Sequence, residues 1–188
     1  MLSQTQRANI RPMSLFLITG LPGTGKSTVR AELVTRGIEA YDGDEDHLAH
    51  WYDDAGIPVP IENEVRTPEF VNTHTRDIAR QTVVNLATRA IGIELVFLCG
   101  DPENEDKLQD IFTGIFALTL DDKIRQHRLD IRKNNPWGKL PHEREYDQAH
   151  IDIALNRYKR PNYITIDASQ TPENIVDFIL RTVTSKKF

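Results

Sequence analysis

Hydrophobic residues along the chain fall into short runs separated by longer stretches of helical spacing. Residues 15–19 are a run of β formers that stops at Gly20, the pattern of a strand buried on both faces. Over residues 26–36, Val29, Leu33 and Val34 form one apolar stripe ahead of Gly37, which predicts a helix with a glycine stop. Residues 38–41 predict a second strand leading into Asp42-Gly43-Asp44, residues 45–54 read as helical, and residues 56–60 are a loop with two prolines. Residues 68–90 have helical spacing through Phe70, Ile78, Val83, Leu86 and Ala90, ended by Gly92. Residues 93–99 carry the strongest strand signal, a near-continuous apolar run suited to a central parallel strand, broken by Gly100-Asp101-Pro102. Beyond it the pattern predicts a strand over residues 115–120, a helix over 121–133 that turns basic towards its end, and a loop over 134–138. A long polar helix over 141–160, a fifth strand over 163–167 and a closing helix over 172–182, with Thr171 as its N-cap, complete the chain.

Strands alternate with helices, which predicts a parallel sheet covered on both faces. No repeat or dividing linker interrupts the pattern, so residues 15–188 are expected to form one α/β domain behind a frayed polar tail at residues 1–14. That tail carries Arg7 and Arg11 and lacks the apolar stretch of a signal peptide. At 39% hydrophobic and 27% charged residues, the composition suits a packed core rather than disorder. The net charge of −5 argues against a nucleic-acid partner, whose phosphate backbone needs a basic surface. Cys99 is the only cysteine, so an internal disulfide is excluded and a reducing, cytoplasmic location is the expectation. There is no apolar run of membrane-spanning length, and the chain is expected to act as a monomer or homodimer.

The chemistry concentrates at Gly20-Leu21-Pro22-Gly23-Thr24-Gly25-Lys26-Ser27, which meets the P-loop pattern in full, between a strand and a helix as the motif requires. Glycines let the main chain wrap a phosphate with its N–H groups turned inward. The helix that begins there adds free N–H groups and the positive end of its dipole. Lys26 brings a full charge to the outer phosphates, Ser27 offers a hydroxyl oxygen to Mg²⁺, and Thr28 reaches a further phosphate. The expected ligand is a nucleoside triphosphate with magnesium. No Asn-Lys-x-Asp base-reading motif points to a GTP-binding protein, and no apolar strand ending in Asp-Glu points to a mechanical ATPase.

The loop, the Asp-x-Asp at Asp42 and Asp44, and the arginines after the fourth strand together resemble the small nucleoside- and nucleotide-kinase-like P-loop family, which includes adenylate, shikimate and gluconate kinases. The resemblance spans residues 15–180 in layout and is specific only at the loop. It implies a P-loop NTPase three-layer sandwich with a five-stranded parallel sheet in the order 2-3-1-4-5, and Mg-dependent transfer of the γ-phosphoryl group of ATP to a small-molecule hydroxyl or phosphate acceptor. By this likeness Asp42 holds Mg²⁺ through water and Asp44 binds or deprotonates the acceptor hydroxyl. Their position just beyond a strand's C-terminal end suits this, because ligands of open α/β sheets bind there. The plainer reading is an acidic turn that caps the next helix. Arg128 and Arg132 lie four apart on one predicted helix face. The resemblance gives them contacts to the adenine and the moving phosphoryl group, with Lys133 and Lys139 as weaker candidates, and surface pairing with Asp121, Asp122 or Asp130 as the alternative. The loop after Arg132 could act as a short lid.

The junction around Ser169 and Gln170 borders the adenine in the resembled family. Arg76 and Arg80, read on one helix face, could hold an anionic acceptor, and Gly100 could allow its close approach; Arg66 is placed with them. Salt bridges or a plain strand stop explain these residues equally well. Trp51 and Tyr52 read as core before pocket wall, and the six histidines show no metal spacing. The chain lacks the Gly-Gly-Gly that follows strand three in shikimate kinase and the long lid of the larger adenylate kinases, so neither acceptor transfers. A nucleotide-binding regulatory module or slow NTPase is the second reading, and a nucleic-acid end kinase the third.

Overall fold

The computed structural model describes residues 14–60, 66–90, 95–133 and 135–185; residues 1–13 of the tail expected over 1–14, the predicted stop at Gly92, the start of the strand at Ile93, and Asn134 lie outside the described residues. In chain order the elements are β1 (Leu15–Thr19), α1 (Lys26–Thr35), β2 (Glu39–Asp42), β3 (Ala49–Tyr52), α2 (Pro68–Thr73), β4 (Thr75–Ile78), α3 (Arg80–Arg89) and β5 (Val96–Cys99). Two 3₁₀ turns follow, then β6 (Gly114–Thr119), α4 (Asp122–Ile131), α5 (Pro141–Tyr158), β7 (Tyr163–Asp167) and α6 (Pro172–Ser185).

Five strands form a parallel sheet in the order β2-β5-β1-β6-β7, which is 2-3-1-4-5 when only these strands are counted. The period of two along each strand splits the core into two layers. Leu15 and Leu17, with Leu98 and Ile115, pack towards Leu86 of α3 and Tyr158 of α5. Phe16 and Ile18, with Phe97 and Phe116, pack towards Val29 and Leu33 of α1 and Val176 and Ile179 of α6. Both faces of the central strands are therefore apolar, and their C-terminal ends open on one crevice.

Two expectations fail in the segment between β2 and β5. Residues 45–54 are not helical: Ala49–Tyr52 is a strand, entered through a left-handed turn at His47 with φ 54°. Residues 68–90 are not one helix, because α2 stops at Thr73, His74 is extended, and Thr75–Ile78 pairs antiparallel with β3. Tertiary partners outweigh helical spacing here. Ala49 and Trp51 point into the core on alternate positions, and the other edge of β4 is satisfied by the loop after β5. There Arg76 N–H donates to Glu103 Oε1 at 3.0 Å, and Asn104 exchanges hydrogen bonds with the main chain of Ile78 at 3.2 and 2.8 Å. Arg76 and Arg80 consequently do not share a helix face: one is on β4 and the other starts α3.

Candidate active site

The glycine loop leaves β1 at Gly20 and closes as α1 begins. Gly23 has φ +90°, and a Cβ there would lie 3.0 Å from the carbonyl oxygen of Arg125, so both conformation and space demand glycine. Gly25, at φ +102°, is the N-cap of α1 and accepts the N–H of Val29 at 3.0 Å. Thr24 pins the turn by donating its hydroxyl to Leu21 O at 2.9 Å. The ammonium of Lys26 folds over the loop, donating to the carbonyls of Gly20 and Leu21.

Ser27 Oγ donates to Asp42 Oδ2 at 2.8 Å, which joins the first turn of α1 to the end of β2. The other carboxylate oxygen of Asp42 accepts the main-chain N–H groups of Asp44 and Glu45 at 2.9 and 3.2 Å. A hydroxyl and a fixed carboxylate beside a phosphate loop form the hard oxygen donor set that suits Mg²⁺. The acidic-turn reading also has a basis, since Asp42 does organise the turn. Asp44 stands in the crevice, accepting from Arg76 at 3.2 Å and from Asn135 Nδ2 at 3.2 Å.

Arg128 lies on α4, and Arg132, expected on the same helix face, is instead the C-cap with an extended backbone; both line the crevice. Arg128 ties the loop to the end of β7, donating to Thr24 O at 3.3 Å and Ala168 O at 3.2 Å. Arg132 ends the helix and donates to the carbonyl of Trp137; burial pulls its pKa down, though a guanidinium keeps its charge at neutral pH. Lys139 points elsewhere, capping the carbonyls of Leu129 and Asp130 at 2.7 Å each.

Residues 135–140 form a loop held by hydrogen bonds to α5. Glu143, fully buried at the third position of α5, accepts the N–H groups of Gly138, Lys139 and Leu140 at 2.7, 3.2 and 3.3 Å and pairs with Arg66 at 3.1 Å. Trp137 Nε1 donates to Asp147 Oδ1 at 3.0 Å, and its ring lies 5.8 Å from that of Trp51. Trp51 is thus core and wall at once.

A cavity of about 1040 Å³ runs from Gln170 and Ala168 past the loop, Asp42 and Asp44 to Trp51, Tyr146 and Arg157. It gathers Leu21 through Thr28, Asp42, Asp44, Arg66, Arg76, Gly100, Arg128, Arg132 and Gln170. Arg80 and Ser169 are not on its wall. The guanidinium of Arg80 is held by Lys107 O at 2.7 Å and by Asp110 on the outer surface, because starting α3 turns it away from β4. Ser169 turns its N–H to Asp167 at 2.9 Å.

Sequence reasoning missed several residues. Arg125 is 1% exposed and donates to Pro22 O at 3.2 Å, bracing the loop from behind. The spacing Arg125, Arg128, Arg132 on one helix face could have revealed it. Glu105 is fully buried, accepts the hydroxyls of Thr19 at 2.8 Å and of Tyr163, and is pushed up in pKa by burial. Burial also raises the Cys99 thiol and removes it as a nucleophile.

Asp147 gives a pH prediction. It is 5% exposed, and burial pushes its pKa up to about 6 against the opposing pull of Trp137 and Arg125. A carboxyl raised in the fold contributes stability below its unfolded pKa and loses it as pH climbs through the folded value. Going from pH 5 to pH 7 should therefore cost the wild type about 1 kcal/mol more than Asp147→Asn. Urea unfolding of both proteins at the two pH values checks this, and equal changes would refute it.

No protein-family model and no curated protein matches the sequence. Solved structures do match. Shikimate kinase from Acinetobacter baumannii in complex with shikimate is 19% identical, with 94% of this chain and 96% of that chain covered and a TM-score of 0.61. A sugar kinase from Janibacter sp. HTCC2649 is 16% identical over 90% and 94% of the two chains, with a TM-score of 0.55. Deoxyadenosine kinase from M. mycoides with bound dATP is 13% identical over 90% and 99%, with a TM-score of 0.51. Sheet order, loop placement and these likenesses agree that the chain has the P-loop nucleoside- and nucleotide-kinase-like fold.

Proposed function

We propose that this protein transfers the γ-phosphoryl group of ATP to a hydroxyl group of a small-molecule acceptor, in the cytoplasm and with Mg²⁺. One observation carries the reading: Ser27 and Asp42 are hydrogen bonded beside the phosphate loop, and Asp44, two residues on, faces the same cavity. The kinases of like fold support it: shikimate is bound in one and dATP in another.

The loop N–H groups and Lys26 grip the polyphosphate, and Arg128 with Gln170 borders the nucleotide base. Ser27 and Asp42 would hold Mg²⁺, which would supply positive charge beside the outer phosphate oxygens. Asp44 accepts a hydrogen bond from the acceptor hydroxyl, aligns it in line with the leaving oxygen and takes its proton as the new P–O bond forms. Arg132 meets the charge on the moving group, and the lid around Trp137 keeps water from competing as acceptor.

The test is ADP formation with a panel of nucleosides, sugars and hydroxy acids. Acceptor-dependent release is expected, lowered at least ~10²-fold in Asp44→Ala with ATP binding retained. A slow rate indifferent to every acceptor and to Asp44→Ala would contradict phosphotransfer and favour the regulatory module.

A further inference from the structure

The two ends of the cavity differ in charge. Lys26, Arg128 and Arg132 line the phosphate end. The rest of the wall carries Glu103 and Asp147, with Asp101 nearer the loop, where it accepts from Thr19 at 3.2 Å. The guanidinium groups at that end are already engaged by carboxylates: Arg66 by Glu143 at 3.1 Å, Arg76 by Asp44 at 3.2 Å, and Arg157 by Asp101 at 3.1 Å and Glu105 at 3.8 Å. Six carboxylates thus stand around three guanidinium groups, and Arg125, shared between Asp122 and Asp147, does not reverse the sign. Glu143 is fully buried, so water screens its charge little.

The carboxylates feel one another. Glu103 accepts the N–H of Arg76 and a hydrogen bond from Tyr146, yet burial and the charge of Asp77 raise its pKa. Burial raises Tyr146 too, with Glu103, Asp147 and Asp101 adding to it. Among the described residues no three histidine, cysteine or carboxylate side chains converge closely enough to hold a metal ion, so the excess is not a metal cage. Asp147 is almost wholly buried at the wall with Oδ2 lacking a hydrogen-bond partner, which is costly for a carboxylate in a cavity meant for an anion. The remaining wall is aromatic: Trp51, Trp137 and Tyr146, with Arg76 already 5.8 Å over the Trp51 ring, show that cations sit well against it.

We propose that the acceptor is a hydroxyl-bearing organic cation, of the amino-sugar or amino-alcohol class, with its ammonium group at the Glu103–Tyr146 wall and its hydroxyl at Asp44. The inference rests on the phosphotransfer reading and gives that site its substrate class. The bond from the γ-phosphorus to the ADP oxygen breaks, a bond to the acceptor oxygen forms, the hydroxyl proton passes to Asp44, and the ammonium keeps its protons throughout. An anionic acceptor would meet Asp101, Glu103 and Asp147, while among the described residues Arg66, Arg76 and Arg157 are already paired with carboxylates and the phosphoryl group claims Arg132.

The test is calorimetry on the full chain with Mg²⁺ and a non-hydrolysable ATP analogue, using matched probes: glucosamine, glucose and gluconate, then ethanolamine, ethylene glycol and glycolate. At least one amine should bind about tenfold or more tightly than its neutral partner, with its acid weakest, and Glu103→Gln should remove that preference while Glu103→Asp keeps part of it. The inference is overturned if an acid binds better than its amine, if no amine exceeds its neutral partner, or if the preference survives in folded Glu103→Gln. Failure of the ATP analogue itself to bind is a separate result, and overturns the phosphotransfer reading together with this inference.

Discussion

Replacing Arg132 with alanine should lower kcat for acceptor phosphorylation by about 10³-fold while leaving the affinity for Mg·ATP within a few-fold. Phosphoryl transfer leaves little bond-making for a protein to assist, so placed positive charge does most of the work. Arg132 is suited to this by its attachment. It ends α4, its guanidinium bonds the Trp137 carbonyl of the lid, and it faces the same cavity as Asp44 and Lys26. Trp137 is in turn fixed by Asp147 and by the Trp51 ring, so the charge is in place before the reaction and needs no reorganisation. Arg128 differs because two carbonyls already hold it beside the base end, and Arg128→Ala should weaken nucleotide binding more than turnover. Single-turnover rates at saturating ATP separate the two, and an unchanged rate for Arg132→Ala would remove it from the catalytic set.

Replacing Lys26 with methionine should weaken Mg·ATP binding at least ~tenfold and lower turnover by about 10²- to 10³-fold. The methionine stem keeps most of the packing and removes only the ammonium. That ammonium now rests on the Gly20 and Leu21 carbonyls, where the proposed reading brings the outer phosphates. The Ser27–Asp42 bond and the Thr24 turn do not depend on it, so thermal unfolding should change little. Binding lost together with the fold would show a structural rather than an electrostatic role, and the variant would then fail as a test of charge.

How much of this could be read before the structure follows from how local each signal is. β1, the loop and α1 are contiguous, and each step in them is dictated by neighbours a few residues away; the sequence pattern located them within a residue or two. Arg128 was legible from helical spacing; Arg132 reaches the same cavity although the helix ends one residue before it. β3 and β4 were not legible, because each has four residues and is held by the other, and β4 also by the Glu103–Asn104 loop, distant in sequence. That error also misplaced Arg80. The buried stripe of α5 was hidden for another reason: it runs through Glu143, Asp147, Ala154 and Tyr158, and two carboxylates on an inward face look like solvent positions in any hydrophobicity pattern. That face supplies the wiring of residues 137–140 and Asp147 of the cavity wall, whereas Asp101 and Glu103 of the same wall come from the loop after β5, so their meeting is visible only in three dimensions.

The most direct measurement is a calorimetric titration of the folded chain with a non-hydrolysable ATP analogue in the presence of Mg²⁺. One site per chain is expected, weakened in Lys26→Met and dependent on magnesium in wild type but far less so in Ser27→Ala. Heat indistinguishable from dilution at millimolar analogue, in protein whose thermal unfolding is cooperative, would contradict the account at its root.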